Sequence, residues 1–281
     1  MKLASWNIKG NNGVSPTRRA ALITALNAVD ADVVVLQEVA WKGGLHEDLM
    51  RRLAACGWGS AAYGGVVGSG TKRYGNLIAS RYPLEHDESD WAPGVPWRQS
   101  LLRVTVDAPS GRCAVVGAHI PNGSGNGWRK IETFEALARA LAPREGALPV
   151  LVAGDFNEPR EVSADGTVIP FAMTKRRDGQ WSAEGVKRGK CGRTFPRQRW
   201  VDGVRAILGQ QPRVDLTHAA RATGGPAAWH VTHEVRGAGR FFDHILVSSH
   251  WSVLATGVEG GVLHDGTSDH ALVWAEVQPR R

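Results

Sequence analysis

The chain of 281 residues has few cysteines and no long apolar run. Its three cysteines, Cys56, Cys113 and Cys191, are far apart and show no C-x-x-C spacing, which argues against a disulfide scaffold and a structural zinc site. No stretch approaches the ~20 apolar residues of a membrane-spanning helix, and the N-terminus lacks the apolar segment of a secretory signal. These absences predict a soluble protein of a reducing compartment, and we expect a cytoplasmic location.

Positive charge is concentrated in one segment. The chain has 34 Lys and Arg residues against 27 Asp and Glu residues, a formal net charge of +7. Residues 171–200 contain nine cations and only two acids, Asp178 and Glu184, so the whole excess lies there. A basic segment on an otherwise neutral body suggests a polyanionic partner.

Aromatic residues lie among these cations, at Trp181, Phe195 and Trp200. Cations pair with phosphates and aromatic faces stack on exposed bases, so the segment favours a nucleic acid as the partner. A solvated surface loop is the alternative. The candidate contact residues are Lys175, Arg176, Arg177, Trp181, Lys187 and Arg188.

Short apolar runs alternate with helical patterns, which favours an α/β (α+β) fold with more than one sheet. Strands are predicted at 2–7, 32–38, 76–80, 101–107, 112–119, 149–153, 241–248, 253–258 and 271–277. Helices are predicted from Ser15 through Val29, at 45–55 and at 129–141, the first because Ser15 can cap it and proline follows. Residues 156–200 look irregular. We expect a single domain over 1–281 with a basic irregular insert at about 171–200.

Residues that can bind metal or phosphate stand at the ends of several predicted strands. A carboxylate after a strand is more often a turn residue or a helix cap. Six such positions at strand ends that could meet at one sheet edge favour a shared site instead. The positions are Asn7, Glu38, His119, Asp155, Asp243 and the pair Asp269-His270.

Five short motifs lie in the order and rough spacing of the endonuclease/exonuclease/phosphatase superfamily. They are Trp6-Asn7-Ile8, Leu36-Gln37-Glu38, Gly154-Asp155-Phe156-Asn157, Phe242-Asp243-His244 and Ser268-Asp269-His270. The chain resembles this superfamily, which includes deoxyribonucleases, exonuclease III, sphingomyelinases and inositol polyphosphate phosphatases. The resemblance implies a four-layer sandwich of two mostly antiparallel β-sheets flanked by helices. It also implies hydrolysis of a phosphoester with a divalent metal, usually Mg²⁺, for which Mn²⁺ could substitute.

The resemblance also implies a role for each matched residue. Glu38 would be the direct metal ligand with Asn7 beside it, and Asp269 would be a further metal candidate. Asp155 would orient or deprotonate the attacking water, and Asn157 would donate its amide to the phosphate. Independently of the resemblance, Mg²⁺ prefers oxygen ligands, and phosphodiester hydrolysis needs an activated water and neutralised phosphoryl oxygens.

Three histidine and acid positions complete the implied set. His270 would contact the scissile phosphate as acid, base or electrostatic stabiliser, and Asp243 would hold its tautomer. His119 resembles a second phosphate-contacting histidine of the deoxyribonuclease and sphingomyelinase branches. Lys9 stands where some members have an acidic or amide metal contact, which favours a single-metal site. We expect His218, His230, His233 and His264 to be core or surface residues.

The motifs do not all indicate the same branch of the superfamily. Abasic-site endonucleases usually have Tyr where this chain has His119. In contrast, Pro121-Asn122-Gly123 and Arg240 are similar to the exonuclease III branch, so Asn122 and Arg240 are candidate substrate contacts. Asn122 opens a glycine-rich stretch, and a plain turn explains it equally well.

The first functional hypothesis is a Mg²⁺-dependent phosphodiester hydrolase, a nuclease acting on DNA or RNA. The second is a phosphatase or phosphodiesterase acting on a phospholipid, an inositol phosphate or a small nucleotide. The third is a non-catalytic nucleic-acid-binding protein on a decayed enzyme fold, which predicts a lost catalytic position, whereas all the central ones are present. No membrane and no obligate protein partner is inferred.

Overall fold

The computed structural model describes residues 1–9, 15–41, 44–64, 74–189, 192–225, 228–235, 237–261 and 266–280. The helices in these ranges are α1 (Pro16–Val29), α2 (Leu45–Ala55), α3 (Gly123–Ala140), α4 (Arg197–Leu208) and α5 (Ala219–Gly224). None of these described helices is both long enough and apolar enough to cross a membrane.

Two six-stranded sheets form the centre of the molecule. The first has the order β19-β20-β1-β2-β4-β3 and the second β15-β18-β8-β7-β6-β5. The strands of the first sheet are β1 (Lys2–Asn7), β2 (Val33–Ala40), β3 (Ser60–Tyr63), β4 (Tyr74–Ser80), β19 (Trp251–Glu259) and β20 (Leu272–Pro279). Those of the second are β5 (Leu84–His86), β6 (Leu101–Ala108), β7 (Gly111–His119), β8 (Val150–Asp155), β15 (Thr217–His218) and β18 (Asp243–Val247).

Short hairpins occupy the remaining strand segments. They pair β9 (Glu161–Val162) with β10 (Val168–Ile169), β11 (Thr174–Lys175) with β12 (Trp181–Ser182), β13 (Val186–Arg188) with β14 (Thr194–Pro196), and β16 (His233–Val235) with β17 (Ala238–Arg240). The basic segment is therefore not irregular, because it contains two hairpins and the start of α4. Its pattern was hard to recognise because each strand is only two or three residues long. Lys190 and Cys191 lie outside the described residues.

Three apolar clusters divide the molecule into four layers. Side chains such as Val35, Val115 and Val273 fill the space between the two sheets. Helices α1 and α2 cover the outer face of the first sheet, with Leu26 and Leu53 in the second cluster. Helices α3 and α4 cover the outer face of the second sheet through the third cluster. This arrangement confirms the expected sandwich of two sheets flanked by helices.

The strand directions bring particular strand ends together. Each sheet contains one parallel pair, β1 with β2 and β7 with β8, while its other described pairs are antiparallel. Asn7 at the end of β1 pairs with Gln37, and Asp155 at the end of β8 pairs with both His119 and Asp243. The carboxyl ends of the parallel pairs and the first residue of β18 therefore share one end of the sandwich.

Helix α3 begins six residues earlier than the sequence pattern predicted. The glycine-rich stretch after Asn122, which a plain turn could also explain, forms the first turns of this helix. The insert packs closely against these turns. A Cβ at Gly123 would lie 2.0 Å from the Trp200 ring, and a Cβ at Gly127 would lie 2.6 Å from the Phe195 ring. The glycines allow the insert to approach the helix, so this stretch has a packing role.

We predict that Gly127→Ala lowers the free energy of unfolding although alanine is the better helix former. The helix preference for alanine is worth about 1 kcal/mol, and overpacking a core costs about 1–3 kcal/mol, so we expect a net loss of about 1 kcal/mol in urea unfolding. The matched control is Gly203→Ala in α4, where the new Cβ would lie 3.4 Å from Phe134 Cβ. That variant should be neutral or more stable, and equal stabilisation by both alanines would contradict this packing.

Candidate active site

Five side chains from both sheets meet at the shared end of the sandwich. The Asn7 amide nitrogen lies 3.0 Å from Asp155 Oδ2 and 3.5 Å from Glu38 Oε1. His119 Nε2 lies 3.7 Å from Asp155 Oδ2 and 3.9 Å from Glu38 Oε1. His270 Nε2 approaches the same Asp155 oxygen at 3.9 Å. Residues separated by more than 250 positions thus surround one carboxylate.

Asp155 is the centre of the cluster and is almost fully buried. Its Oδ1 accepts the backbone N–H of Asn157 at 2.8 Å, and its Oδ2 accepts the side-chain amides of Asn7 and Asn157 at 3.0 and 3.2 Å. Gly154 precedes it with φ +153°, and a Cβ there would lie 1.8 Å from the Ala118 carbonyl oxygen. Glycine is required at this position because β7 and β8 run so close together immediately before the loop 155–158.

The backbone is strained around this cluster. Lys9, Glu38 and Asn157 all have left-handed φ values, 46°, 57° and 51°. The register between β2 and β4 shifts between Leu36 and Val39, so Glu38 stands in a β-bulge. Bulges re-aim a side chain, and strained residues concentrate at functional sites. The backbone therefore supports a functional interpretation independently of the side-chain types.

His270 and Asp243 form a buried ion pair. His270 Nδ1 donates to Asp243 Oδ2 at 2.8 Å, which leaves Nε2 directed at Asp155. Burial lowers the pKa of His270, but the charges of Asp243 and Asp155 and the hydrogen bond to Asp243 outweigh it and raise the pKa to about 10. Burial also raises the pKa of Asp243, against the opposing charge of His270. The proton is therefore held on the imidazole at neutral pH, opposite two carboxylates.

Lys9 and Asp269 form a second ion pair at the solvent side of the cluster. Lys9 Nζ lies 2.9 Å from Asp269 Oδ2, and both side chains are partly exposed. Arg18 on α1 connects the two stretches that carry this ion pair. It donates to the carbonyls of Ile8 at 2.5 Å, Lys9 at 3.2 Å and Thr267 at 2.7 Å. Asp269, predicted as a metal candidate, already has a cation as its partner.

The donor set fits one hard cation. Two described groups of acids and histidines bring ligand atoms within 4.8 Å of one another, Asp155 with Asp243 and His270, and His233 with Asp269 and His270. In the first group His270 pairs with Asp243, and in the second Lys9 pairs with Asp269. Glu38 is half-buried and faces His119 and Asn7 only at 3.5 Å or more. Its carboxylate is therefore the best oxygen donor for a divalent ion such as Mg²⁺.

Two predicted contacts are already engaged within the protein. The Asn7 amide oxygen accepts the backbone N–H of Lys9 at 3.0 Å, while its amide nitrogen lies near the carboxylates of Glu38 and Asp155. The role of Asn7 as a metal ligand stays a prediction. The Asn157 amide nitrogen donates to the Ile120 carbonyl at 3.0 Å and to Asp155. Donation from Asn157 to a phosphate, as expected from the resemblance, would require it to give up one of these bonds.

The predicted substrate contacts lie outside this cluster. Asn122 precedes α3, and its oxygen accepts the Ser124 hydroxyl at 3.0 Å. Arg240 ends β17 and lies over the Phe171 ring with 5.8 Å to the centroid. These contacts are compatible with a substrate role and with a structural one, so both stay predictions.

The predicted insert contacts divide into exposed and engaged side chains. Arg177 and Arg188 are exposed, whereas Arg176 lies 2.5 Å from Glu184. Lys175 pairs with Trp181 across the β11–β12 hairpin and lies over its ring. Lys187 lies over the Trp200 ring at 4.9 Å, and burial and Arg197 lower its pKa. Lys187 therefore faces the insert's own interior as well as solvent.

Sequence reasoning missed several residues that hold the site. His233, which we expected to be an ordinary core or surface histidine, stacks on His270 at 4.3 Å and donates to the Asp269 carbonyl. Trp6 donates to the His270 carbonyl at 2.8 Å, and the Thr232 hydroxyl accepts the backbone N–H of Asp243 at 3.1 Å. Trp6 stands inside a recognised motif and could have been found. Thr232 and His233 adjoin a short hairpin that leaves no periodic signal.

A profile of the Endonuclease/Exonuclease/phosphatase family matches residues 4–270, which includes every residue of this cluster. The chain belongs to this family. Members of this family are metal-dependent phosphoesterases and nucleases.

A curated relative and several solved structures are similar to the chain. The uncharacterized protein YbhP of Escherichia coli strain K12 is 29% identical over 150 residues, which cover 49% of this chain and 58% of that protein. The match thus spans little more than half of the relative's length.

The solved structures show the same fold. The 3'-5' exonuclease NExo from Neisseria meningitidis has a TM-score of 0.64 at 21% identity and covers 99% of this chain and 100% of that chain. An AP endonuclease from Archaeoglobus fulgidus has a TM-score of 0.66 at 16% identity, covering 98% of each chain. D. rerio TDP2, solved with a single-strand DNA product, has a TM-score of 0.66 at 17% identity over 99% of this chain and 98% of that chain.

Two further histidines, His218 and His244, are buried and hydrogen-bonded to each other behind the loop 155–158. His244 Nε2 donates to the Glu158 carbonyl at 2.6 Å, so its Nδ1 accepts from His218 Nε2 at 3.0 Å. This assignment leaves both rings neutral. Burial lowers the pKa of His244 to about 4 and lowers that of His218 well below its usual value.

We predict that this histidine pair makes the fold acid-sensitive. The unfolded chain binds protons near pH 6.5, whereas folded His244 resists protonation until about pH 4, so stability is present above pH 6.5 and is lost as pH falls. The loss attributable to His244 is about 3 kcal/mol by pH 4, from ~1.4 kcal/mol for each unit of pKa. Urea unfolding between pH 7.5 and 4.5 measures it.

The comparison uses His244→Gln, which removes the buried titrating ring and should flatten the dependence of the unfolding free energy on pH. His250→Gln is the matched control, because His250 is exposed and should leave the slope unchanged. If the His244 variant kept the wild-type slope, the buried neutral pair would not be responsible for acid sensitivity.

Proposed function

We propose that this protein is a phosphoesterase, and specifically a Mg²⁺-dependent nuclease that hydrolyses phosphodiester bonds of DNA or RNA. The observation that carries the catalytic part is Asp155, which is buried, held by three hydrogen bonds and faced by His270 and His119. The basic insert beside α3 supports the nucleic-acid part.

Glu38 would hold the metal ion, with Asn7 next to it. When bound, the ion would neutralise a phosphoryl oxygen and favour ionisation of a water molecule. The Lys9–Asp269 pair favours a single ion, because an ammonium already neutralises the second acidic position.

Asp155 is the group that receives the proton of the attacking water. Hydrogen bonds from Asn7 and Asn157 fix the orientation of the carboxylate. Among the described contacts, the side of Oδ2 that faces His119 and His270 at 3.7 and 3.9 Å is where a water molecule could approach. A buried carboxylate held in this way can orient a water molecule and accept its proton.

His270 acts as a cation rather than as a base, because its raised pKa keeps the imidazole protonated at neutral pH. Its Nε2–H is positioned to stabilise negative charge on the phosphate or to protonate the leaving oxygen. Asp243 holds the ring orientation through Nδ1. His119 provides a second imidazole, 3.7 Å from the same Asp155 oxygen.

The insert presents cations and aromatic rings next to the helix that follows His119. Arg193 and Arg199 lie over the Trp128 ring at 4.3 and 4.8 Å, and Arg160 lies over Trp181 at 5.1 Å. Some of this charge is neutralised, since Arg199 bonds Glu135 at 2.7 Å. The exposed cations that remain would track a phosphate backbone through a salt-dependent interaction.

The activity is tested by digestion of plasmid, single-stranded DNA, RNA and an abasic duplex, with Mg²⁺ and with EDTA. We expect Mg²⁺-dependent cleavage of at least one nucleic acid. Release of phosphate from a phospholipid, inositol phosphate or small nucleotide, with no cleavage of any nucleic acid, would replace this proposal by the second hypothesis.

We predict that Asp155→Ala and His270→Ala each lower kcat by at least about a hundredfold, because proton transfer and charge stabilisation are each worth roughly 10² or more. Circular dichroism should show a folded protein in both cases. The control is His250→Ala, which changes an exposed histidine. Near wild-type turnover in either site variant would refute its assigned role.

We predict that Arg177→Ala/Arg188→Ala weakens nucleic-acid binding and flattens its salt dependence. Each lost phosphate contact should reduce the slope of log K against log salt by about 0.7–0.9. Deletion of the whole insert is unsuitable, because Phe195 and Trp200 belong to the buried core. The charge-matched control is Arg51→Ala/Arg144→Ala, two exposed cations elsewhere on the chain. An unchanged slope in the insert variant would remove the insert from the binding surface.

A further inference from the structure

We infer that Lys130 and Glu158 are positioning residues of the phosphodiester-hydrolysing site, which connect the catalytic loop 155–158 to the basic insert. This inference rests on the proposed function. Neither residue touches the site where the phosphate would react. Their effect would be transmitted through Asn157, whose carbonyl Lys130 holds while Glu158 pairs with Lys130.

The two side chains form a salt bridge inside the protein. Lys130 Nζ lies 3.0 Å from Glu158 Oε1, and the side chains are 1% and 0% exposed. Burial lowers the pKa of Lys130, although Glu158 opposes the shift. Replacing a buried ion pair by apolar side chains is often neutral or stabilising, so stability alone does not explain such a pair.

Lys130 also holds the strained backbone of the catalytic loop. Its ammonium donates to the Asn157 carbonyl at 2.7 Å. Asn157 has a left-handed φ of 51°, and both its backbone N–H and its side-chain amide donate to Asp155. The ammonium therefore fixes the residue that orients the central carboxylate.

Glu158 connects this loop to the insert. Its Oε1 also accepts the Trp200 indole N–H at 2.7 Å, and its Oε2 accepts the backbone N–H of Phe171 at 3.0 Å. Its own backbone carbonyl accepts from His244 on β18. One residue thus joins the catalytic loop, both ends of the insert and the strand that carries Asp243.

The packing of α3 supports the same connection. Trp200 lies against Gly123 so closely that a Cβ there would overlap its ring, and Lys130 follows two turns later on the same helix. Lys130 Nζ lies over the Trp200 ring at 5.2 Å. A displacement of the insert would therefore be felt by the ammonium that holds Asn157.

The first test is the double variant Lys130→Met/Glu158→Gln, which removes both charges and keeps the side-chain volumes similar. We expect a folded protein with wild-type KM and Mn²⁺ affinity, the latter measured by calorimetry, and a kcat lowered at least thirtyfold. A folded double variant with wild-type kcat overturns the inference, as does a loss confined to stability.

The second test avoids any dependence on how the double variant folds. Trp200→Phe removes the indole donor to Glu158, and Trp58→Phe is its matched control, because Trp58 is also buried and donates its indole N–H to the Ala31 carbonyl at 2.9 Å in the outer layer of the first sheet. We expect a three- to tenfold lower kcat for Trp200→Phe alone. Equal kcat values for the two variants overturn the inference.

A spectroscopic measurement separates this inference from the proposed function. In amide NMR spectra, the backbone and side-chain signals of Asn157 should shift in Trp200→Phe and stay in place in Trp58→Phe. If the wild-type protein cleaves no phosphodiester, the proposed function fails while this measurement still tests the connection. If Asn157 does not respond, the connection is wrong whatever the activity.

Discussion

The structure of the site depends on the burial of Asp155, a carboxylate that needs compensation wherever it is ionised in the interior. Burying an unpaired charge is costly, and the protein meets the cost with hydrogen bonds from Asn7 and Asn157 and with two nearby imidazoles. These partners come from different strands, so the strand order must bring β1, β7, β8 and β20 to one end. The two parallel strand pairs do this.

The same constraint explains the strained backbone. Glu38, Lys9 and Asn157 adopt left-handed backbone conformations, which are unfavourable for residues other than glycine. Asn157 bonds Asp155 directly, whereas Glu38 and Lys9 contact Asn7, which also bonds Asp155. The strain is balanced locally, by Arg18 behind Lys9 and by Lys130 behind Asn157. Arg18 on α1 and Lys130 on α3 therefore hold the backbone of these strained residues, and the two helices support the site.

Much of the fold and of the site could be predicted from the sequence, because the strands are apolar runs that end in polar residues. The bounds of α2 and the cap of α1 at Ser15 agree with the pattern, and the four-layer sandwich agrees with the family resemblance. The order of the motifs placed Asn7, Glu38, Asp155, Asp243 and His270 in one cluster. Their contacts in the structure follow from the strand register, in which Asp155 pairs with both His119 and Asp243.

The rest could not be predicted, because it depends on long-range packing. The glycines of α3 resemble a loop until Trp200 and Phe195 are seen to pack against them. The insert looks irregular because its strands are two or three residues long. Lys130 looks like a surface cation of a helix, and only the fold brings it to Glu158. Lys9 was noticed as an unusual residue, but its pairing with Asp269 requires the chain to return after 260 residues.

We propose that the Glu38 carboxylate offers the open oxygen at which a divalent ion completes this charge balance. The decisive experiment is anomalous diffraction from a crystal soaked in Mn²⁺, with and without an oligonucleotide. We expect one strong peak within bonding distance of the Glu38 carboxylate, on the side of Asn7, and no second peak at the Lys9–Asp269 pair. A peak between His233 and Asp269 with none at Glu38 would contradict it.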